Sequence, residues 1–202
     1  MGIKKIFLLL LILISTNCFS QDRGNSDITD VAKATFLNPG ISYEKRIGKF
    51  QSLYAQAFMN TSFAIGYSDA LGNTSGIHFD PALTLQYRYY YNSAKREAKG
   101  KRTEMNSLNY LSSILETTFS KGSISSSYYT EKKRRAINIL GIAWGFQRNY
   151  KKRFSLDFYL GIGYLFTKAT TIDYTGQYIT KNIGQFTTVS QLNLGFWLNK
   201  RN

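Results

Sequence analysis

From about residue 30 to the C-terminus, apolar and polar side chains alternate with a period of two. The run 154–166 is the clearest case: Phe154, Leu156, Phe158, Leu160, Ile162, Tyr164 and Phe166 share one face. Ser155, Asp157, Tyr159, Gly161, Gly163 and Leu165 share the other. Phe79, Pro81, Leu83, Leu85, Tyr87, Tyr89 and Tyr91 alternate in the same way with Asp80, Ala82, Thr84, Gln86, Arg88, Tyr90 and Asn92. Leu53, Ala55, Ala57, Met59, Phe63, Ile65 and Tyr67 form a third apolar face, opposite Gln56, Asn60, Ser62 and Gly66. At the end of the chain Leu192, Leu194, Phe196 and Leu198 oppose Gln191, Asn193 and Gly195. A helix of period 3.6 would scatter these sets around its circumference, so the pattern predicts strands.

Two further stretches are less regular. In 136–148, Leu140, Ile142, Trp144 and Phe146 oppose Gly141, Ala143, Gly145 and Gln147, but Ile137 and Ile139 fall on the polar side. In 107–119 the two faces are mixed. Asn38-Pro39-Gly40 is a strong turn signal and divides 31–47 into two short strands. The expected strands are 31–37, 40–47, 51–67, 78–92, 107–120, 135–149, 154–167 and 187–199, with Glu44 and Arg46 on the polar face of the second. Links at 48–50 and 150–153 are very short and 93–106 is intermediate. The links at 68–77, 121–134 and 168–186 are longer and rich in Ser, Thr, Gly, Asn and Tyr. An even number of strands with alternating short and long links predicts an all-β, antiparallel up-and-down barrel of eight strands. It also returns both chain ends to the same side.

Which way the faces point decides the solvent. A soluble barrel would put its polar face in water and carry Lys, Glu and Thr there in quantity. Here the polar face of 154–167 is small residues with one charge, and most lysines lie in links, which favours a transmembrane barrel over a soluble one that binds an apolar ligand. The N-terminus agrees. Lys4-Lys5 precede the apolar run Ile6 to Ile14, far short of the ~18 residues a spanning helix needs. With small residues at Cys18 and Ser20, this reads as a signal peptide, 1–20, cut before Gln21. Acylation of Cys18 is the rival, against which Asn17 just before it argues. A short segment, 21–30, then leads to a barrel domain over 31–199. Cleavage removes two lysines and the one cysteine, lowering the charge from +14 to +12.

Composition mainly excludes. One His and one Cys leave no His/Cys metal centre and no disulfide framework, and no cofactor is expected. The pI near 9.8 invites a nucleic-acid reading, but a secreted chain whose basic clusters sit in links argues against it. Those clusters are Lys95, Arg96, Lys99, Lys101 and Arg102; Lys132, Lys133, Arg134 and Arg135; and Lys151, Lys152 and Arg153. Lipid phosphate is the simpler partner, including lipopolysaccharide for 132–135 and phospholipid for the others. Tyr43, Tyr67, Tyr87, Tyr89, Tyr91, Tyr164 and Trp197 are read as outward rings near strand ends, where amphipathic rings gather at membrane interfaces. The inward faces carry Glu44, Arg46, Asp80, Arg88, Glu116 and Asp157. Unpaired buried charge is very costly, so these six are expected to pair into a plug rather than line a pore. His78, with Asp80 and Ser75 nearby, is the one candidate for rim catalysis on lipid or peptide, and a weak one.

Asn38-Pro-Gly-Ile-Ser-Tyr-Glu-Lys-Arg-Ile-Gly48, Tyr87-Arg-Tyr-Tyr-Tyr-Asn92 and Asn106-Ser-Leu-Asn-Tyr-Leu111 give the chain a resemblance to the small eight-stranded outer-membrane β-barrel proteins of diderm bacteria. The resemblance spans nearly all of 30–199 and implies a fold, a place in the outer membrane and assembly by the barrel-insertion machinery, with a monomer expected. It implies no activity. The chain departs from the pattern at its end, where Asn193-Leu-Gly-Phe-Trp-Leu198 is followed by polar residues instead of a terminal aromatic ring.

Overall fold

The computed structural model describes residues 28–68, 72–121, 133–172 and 174–199, with the side chains of 62–68, 72–78 and 171–172 left aside. Eight antiparallel strands follow one another round a single sheet that closes into a barrel. They are β1 (Val31–Leu37), β2 (Gly40–Arg46), β3 (Gln51–Ser68), β4 (Gly72–Tyr90), β5 (Asn109–Ser120), β6 (Arg135–Asn149), β7 (Phe154–Ile172) and β8 (Tyr178–Trp197). A short helix, α1 (Ser93–Glu97), interrupts the link between β4 and β5. All eight expected strands are present. The expected leader, 1–20, and residues 21–27 of the segment after it lie outside the described residues.

Ring closure rests on a short seam, in which Lys33, Ala34, Thr35 and Leu37 of β1 pair with Trp197, Phe196, Gly195 and Leu194 of β8. Following the ladder from Ala34 through Ile41, Ala57, Leu83, Thr117, Asn138 and Phe166 arrives at Gly184 on β8. Across the seam, however, Ala34 pairs with Phe196, which is 12 residues further along β8 than Gly184. A stagger of that size requires steeply inclined strands, near the ~45° upper end of the usual range.

The strands are longer than their composition suggested. Stretches 68–77 and 168–186 read as loops because Ser, Thr, Gly and Asn dominate them. In the structure β3 and β4 pair up to Ser68↔Gly72, and β7 and β8 up to Ile172↔Tyr178. Both are hairpins that continue above the short β1–β2 wall, because ladder hydrogen bonds need no apolar side chains.

Side chains are distributed opposite to those of a soluble barrel. Leu83, Leu111, Leu140, Ile142, Leu160 and Ile162 are exposed on the outer wall, Ile142 at 64% and Ile162 at 65%. Glu44, Arg88, Gln147 and Asp157 are buried inside. Ile137 and Ile139, off-pattern in sequence, do point inward. Ile139 packs on an inner apolar layer of Ile114, Ala143, Tyr159 and Val189, and Ile137 is also buried. Trp197 was expected outside, but it alternates with Phe196 and Leu198 and is therefore buried, donating Nε1–H to the Tyr150 carbonyl at 3.0 Å.

The end where the chain enters is closed. Residues 101–108 cross the mouth from β5 towards the segment before β1. Asn106 Oδ1 accepts from the Thr29 N–H and its Nδ2 donates to the Thr29 carbonyl, both at 2.8 Å. Leu108, beside Ile28, fills the opening, and the Ser107 hydroxyl donates to the Asn149 carbonyl at 3.1 Å. Met105 and Asn106 both adopt left-handed backbone, with φ of 53° and 58°. That conformation costs a methionine roughly 1–2 kcal/mol, which the strap's hydrogen bonds must offset.

Gly145 provides the space that Tyr110 occupies inside the barrel. A Cβ at position 145 would stand 2.5 Å from the Tyr110 ring. Gly145→Val should therefore destabilise the barrel by about 1–3 kcal/mol in chemical unfolding. Adding Tyr110→Leu should recover part of that loss, and equal stability of wild type and Gly145→Val would show that the ring is not confined there.

Candidate functional site

The inward ends of β1, β2, β4, β6 and β7 bring four charges together in the lower lumen. Asp157 on β7 is the centre. Its Oδ2 accepts from Arg88 Nη1 at 2.9 Å and lies 3.4 Å from Lys33 Nζ, while Oδ1 accepts from the Tyr110 hydroxyl at 2.7 Å. Glu44 on β2 accepts from the Ser52 hydroxyl at 2.6 Å and the Tyr90 hydroxyl at 2.5 Å. Gln147 joins the two carboxylate clusters. Its Oε1 accepts from Arg88 Nη1 at 3.0 Å and from Lys33 Nζ, and its Nε2 donates to Glu44 Oε2 at 3.3 Å. The Arg88 guanidinium is sandwiched between the rings of Tyr54 and Tyr110, at 3.7 and 4.3 Å, and donates Nε–H to Gln86 Oε1 at 2.8 Å.

Lys33 and Arg88 against Glu44 and Asp157 make two bases and two acids, so the buried cluster is balanced in charge. The sequence reading of four acids and two bases is corrected at both ends. Lys33 was missed, although it shares its face with Val31. Arg46 does not enter the lumen. It has the inward parity, but β2 ends there, its side chain is exposed, and its Nε–H donates to the Gly48 carbonyl in the turn.

The other two expected lumen acids lie higher. Glu116 is half-buried, with the Tyr159 hydroxyl at 3.2 Å and the Thr84 hydroxyl at 3.5 Å from its Oε2. Asp80 is buried near the upper rim, 4.0 Å from Arg134 Nε. Gln56 and Asn193 exchange amide hydrogen bonds across the interior behind the β1–β2 hairpin, both at 3.3 Å. Neutral amides such as Gln147 gave no charge signal in the sequence, and only the period-two parity could have marked them as inward.

At the upper rim Lys133 and Arg134 are exposed, Arg135 is half-buried and donates from Nη2 to the Thr170 hydroxyl at 2.9 Å, and Lys132 lies outside the described residues. The clusters of 95–102 and 151–153 lie in links at the same closed lower end, where Arg102 Nε donates to the Asn149 carbonyl at 2.8 Å. His78, the expected start of its strand, stands opposite Ser62 within β4, six residues in from the observed start at Gly72, and its side chain is outside those described. Tyr43, Tyr87, Tyr91 and Tyr164 are exposed on the outer wall as expected, Tyr89 is half-buried, and the side chain of Tyr67 is not among those described. Among the described residues no group of three or more His, Cys, Asp or Glu could hold a metal ion. No protein-family model, curated protein or solved structure matches the chain.

At the lower edge, outside the strands, Asp30 organises the approach to β1. It accepts from Lys45 Nζ at 2.6 Å, the Arg46 N–H at 2.8 Å and the Tyr43 hydroxyl at 3.0 Å. These partners, Lys45 first, hold its carboxyl below the usual range for an aspartate. The sign follows: the contribution is present above the ordinary aspartate pKa and is lost as pH falls through the lowered one. Acidification below the carboxylate range should speed hydrogen exchange at the Arg46 amide, and Asp30→Asn should show that faster exchange already at neutral pH.

The buried cluster makes a sharper prediction. Arg88→Met leaves Asp157 and Glu44 against Lys33 alone and should cost about 3–5 kcal/mol in urea unfolding. Arg88→Met with Asp157→Leu keeps a one-to-one balance of Lys33 and Glu44 and should cost less than Arg88→Met by itself. A double variant worse than the single would refute charge balance as the organising term.

Proposed function

We propose that the chain is an outer-membrane β-barrel protein that acts as a structural or loop-mediated binding protein and contains no open pore. The inverted side-chain distribution carries this reading. Balanced charges fill the interior while large aliphatic side chains cover the outside, an arrangement whose cost in water lipid removes. On β7 the outward apolar run extends from Phe154 to Phe166. At about 3.3 Å per residue and an inclination near 45°, it rises roughly 28 Å, close to the ~25 Å apolar band of such barrels. Exposed rings gather towards both limits of that band: Tyr43, Tyr87 and Phe196 below, and Phe79, Phe119, Phe166 and Phe186 above. Lys133, Arg134 and Arg135, with Lys132, are suited to lipopolysaccharide phosphates at the upper rim, and the lower basic clusters to phospholipid. The inward charges weigh against a soluble barrel that holds an apolar ligand. The absence of an open pore is supported by the Lys33–Asp157–Arg88 cluster together with the strap over the lower mouth.

Two experiments test this. Leu160→Arg should cost roughly 2–4 kcal/mol of stability in phospholipid bilayers, because residue 160 faces the middle of the band. Folding equal to wild type would contradict the membrane assignment. In planar bilayers the purified protein should show no steady openings, and reproducible ion-selective conductance would replace the plug with a channel.

A further inference from the structure

The wall of the barrel is uneven in height. β1 and β2 have seven residues each, while their neighbours β8 and β3 have 20 and 18. All four reach the same lower end, β1 and β3 starting there and β2 and β8 finishing there. Seven inclined residues rise only roughly 15 Å, about half of the apolar band. The Asn38-Pro39 turn forms the floor of the resulting opening. The Pro39 carbonyl accepts the Met59 N–H at 2.9 Å, and Asn38 Nδ2 donates to the Leu192 carbonyl at 3.2 Å. Above that floor, among the described residues, no strand pairs with the free edge of β3 from Asn60 to Ser68 or of β8 from Asn182 to Leu192.

We propose that this opening is a docking site for an extended segment of a second, different polypeptide, added as one or two strands to the β3 and β8 edges. The inference rests on the membrane reading above. Three observations select the occupant. Width comes first: the gap is two strand positions across, since β1 and β2 fill the same interval directly beneath. The second is hydrogen bonding. Strand edges at the depth of the hydrocarbon need partners for their N–H and C=O groups, and acyl chains provide none. The third is the edges themselves. Natural edge strands are protected by charges, prolines or bulges, yet 60–68 and 182–192 contain neither a charged residue nor a proline. A second copy of the chain fits poorly. A copy inserted the same way has the same positions missing from its own wall, so it has no spare strand to add to these edges. The chain's own leading segment enters through Ile28 at the opposite end.

The test combines a photo-crosslinking side chain with hydrogen exchange and a variant that fills the gap. The crosslinker is placed at Ser190 or Met59, both exposed beside the opening, or at Ile142 on the far wall as control. The filling variant lengthens β1 and β2 by four alternating Thr and Val residues each, an even number that preserves which faces point inward. In native outer membranes Ser190 and Met59 should give an adduct with the same additional polypeptide, and Ile142 should not. Amides of 186–192 should exchange at least about tenfold more slowly there than in the purified barrel in bilayers. The filled variant should lose the adduct and show slow exchange in both preparations. Equal exchange of the wild type in the two preparations, adducts with lipid alone, an adduct of twice the chain's own mass, or the same adduct from Ile142 would each overturn the proposal. Failure of the membrane reading is distinguished beforehand, because the protein would then stay in the soluble fraction and migrate identically boiled and unboiled.

Discussion

The ammonium of Lys33 on the first strand reaches the carboxylate of Asp157 on the seventh, and the closed ring depends on that meeting. The β1–β8 seam contributes only a few ladder pairs, while the neighbouring β7–β8 ladder runs nearly the full length of both strands. Lys33 adds a second tie on the inner side of the seam, to Asp157 and to Gln147 on β6. Opening the ring there would leave a carboxylate with one partner fewer in a low-dielectric interior, which is far more costly than losing a ladder hydrogen bond. The aromatic sandwich around Arg88 and the hydroxyls on Glu44 hold the remaining charges in the geometry this tie requires.

The interior therefore has two regimes. Below, charges, amides and tyrosine hydroxyls satisfy one another. Above, Ile114, Ile139, Ala143 and Val189 form an apolar layer on which Tyr159 rests. Tyr159 keeps its ring in that layer and its hydroxyl on polar groups at the same level, 2.9 Å from Gln191 Oε1 and 3.2 Å from Glu116 Oε2. Both regimes occupy the interior of a barrel whose eight strands leave space for side chains and little more.

The wall was legible in the sequence because period two is a direct projection of pleat geometry, and Phe154–Phe166 could be assigned to two faces residue by residue. Asp157, Arg88 and Glu44 were legible for the same reason. Lys33 was not, because β1 is short and its outward positions are the weakly apolar Ala32 and Ala34. Arg46 misled because parity continues in sequence past the point where the lumen ends. The upper hairpins were hidden by their composition, since Thr and Ser serve a ladder as well as a loop. The strap was hidden more deeply. Its anchor, Asn106 on Thr29, joins residues 77 apart and has no periodic signature.

That anchor has a consequence for the order of events during assembly. Asn106 can meet Thr29 only when the intervening four strands have been laid side by side, because the strap leaves the ladder between β4 and β5 while Thr29 precedes β1. Closing so long a loop repays its entropy only after the pairings within it exist. The seal of the lower mouth thus follows the pairing of β1 to β4, and a chain stalled with β1 unpaired would carry an unsealed mouth.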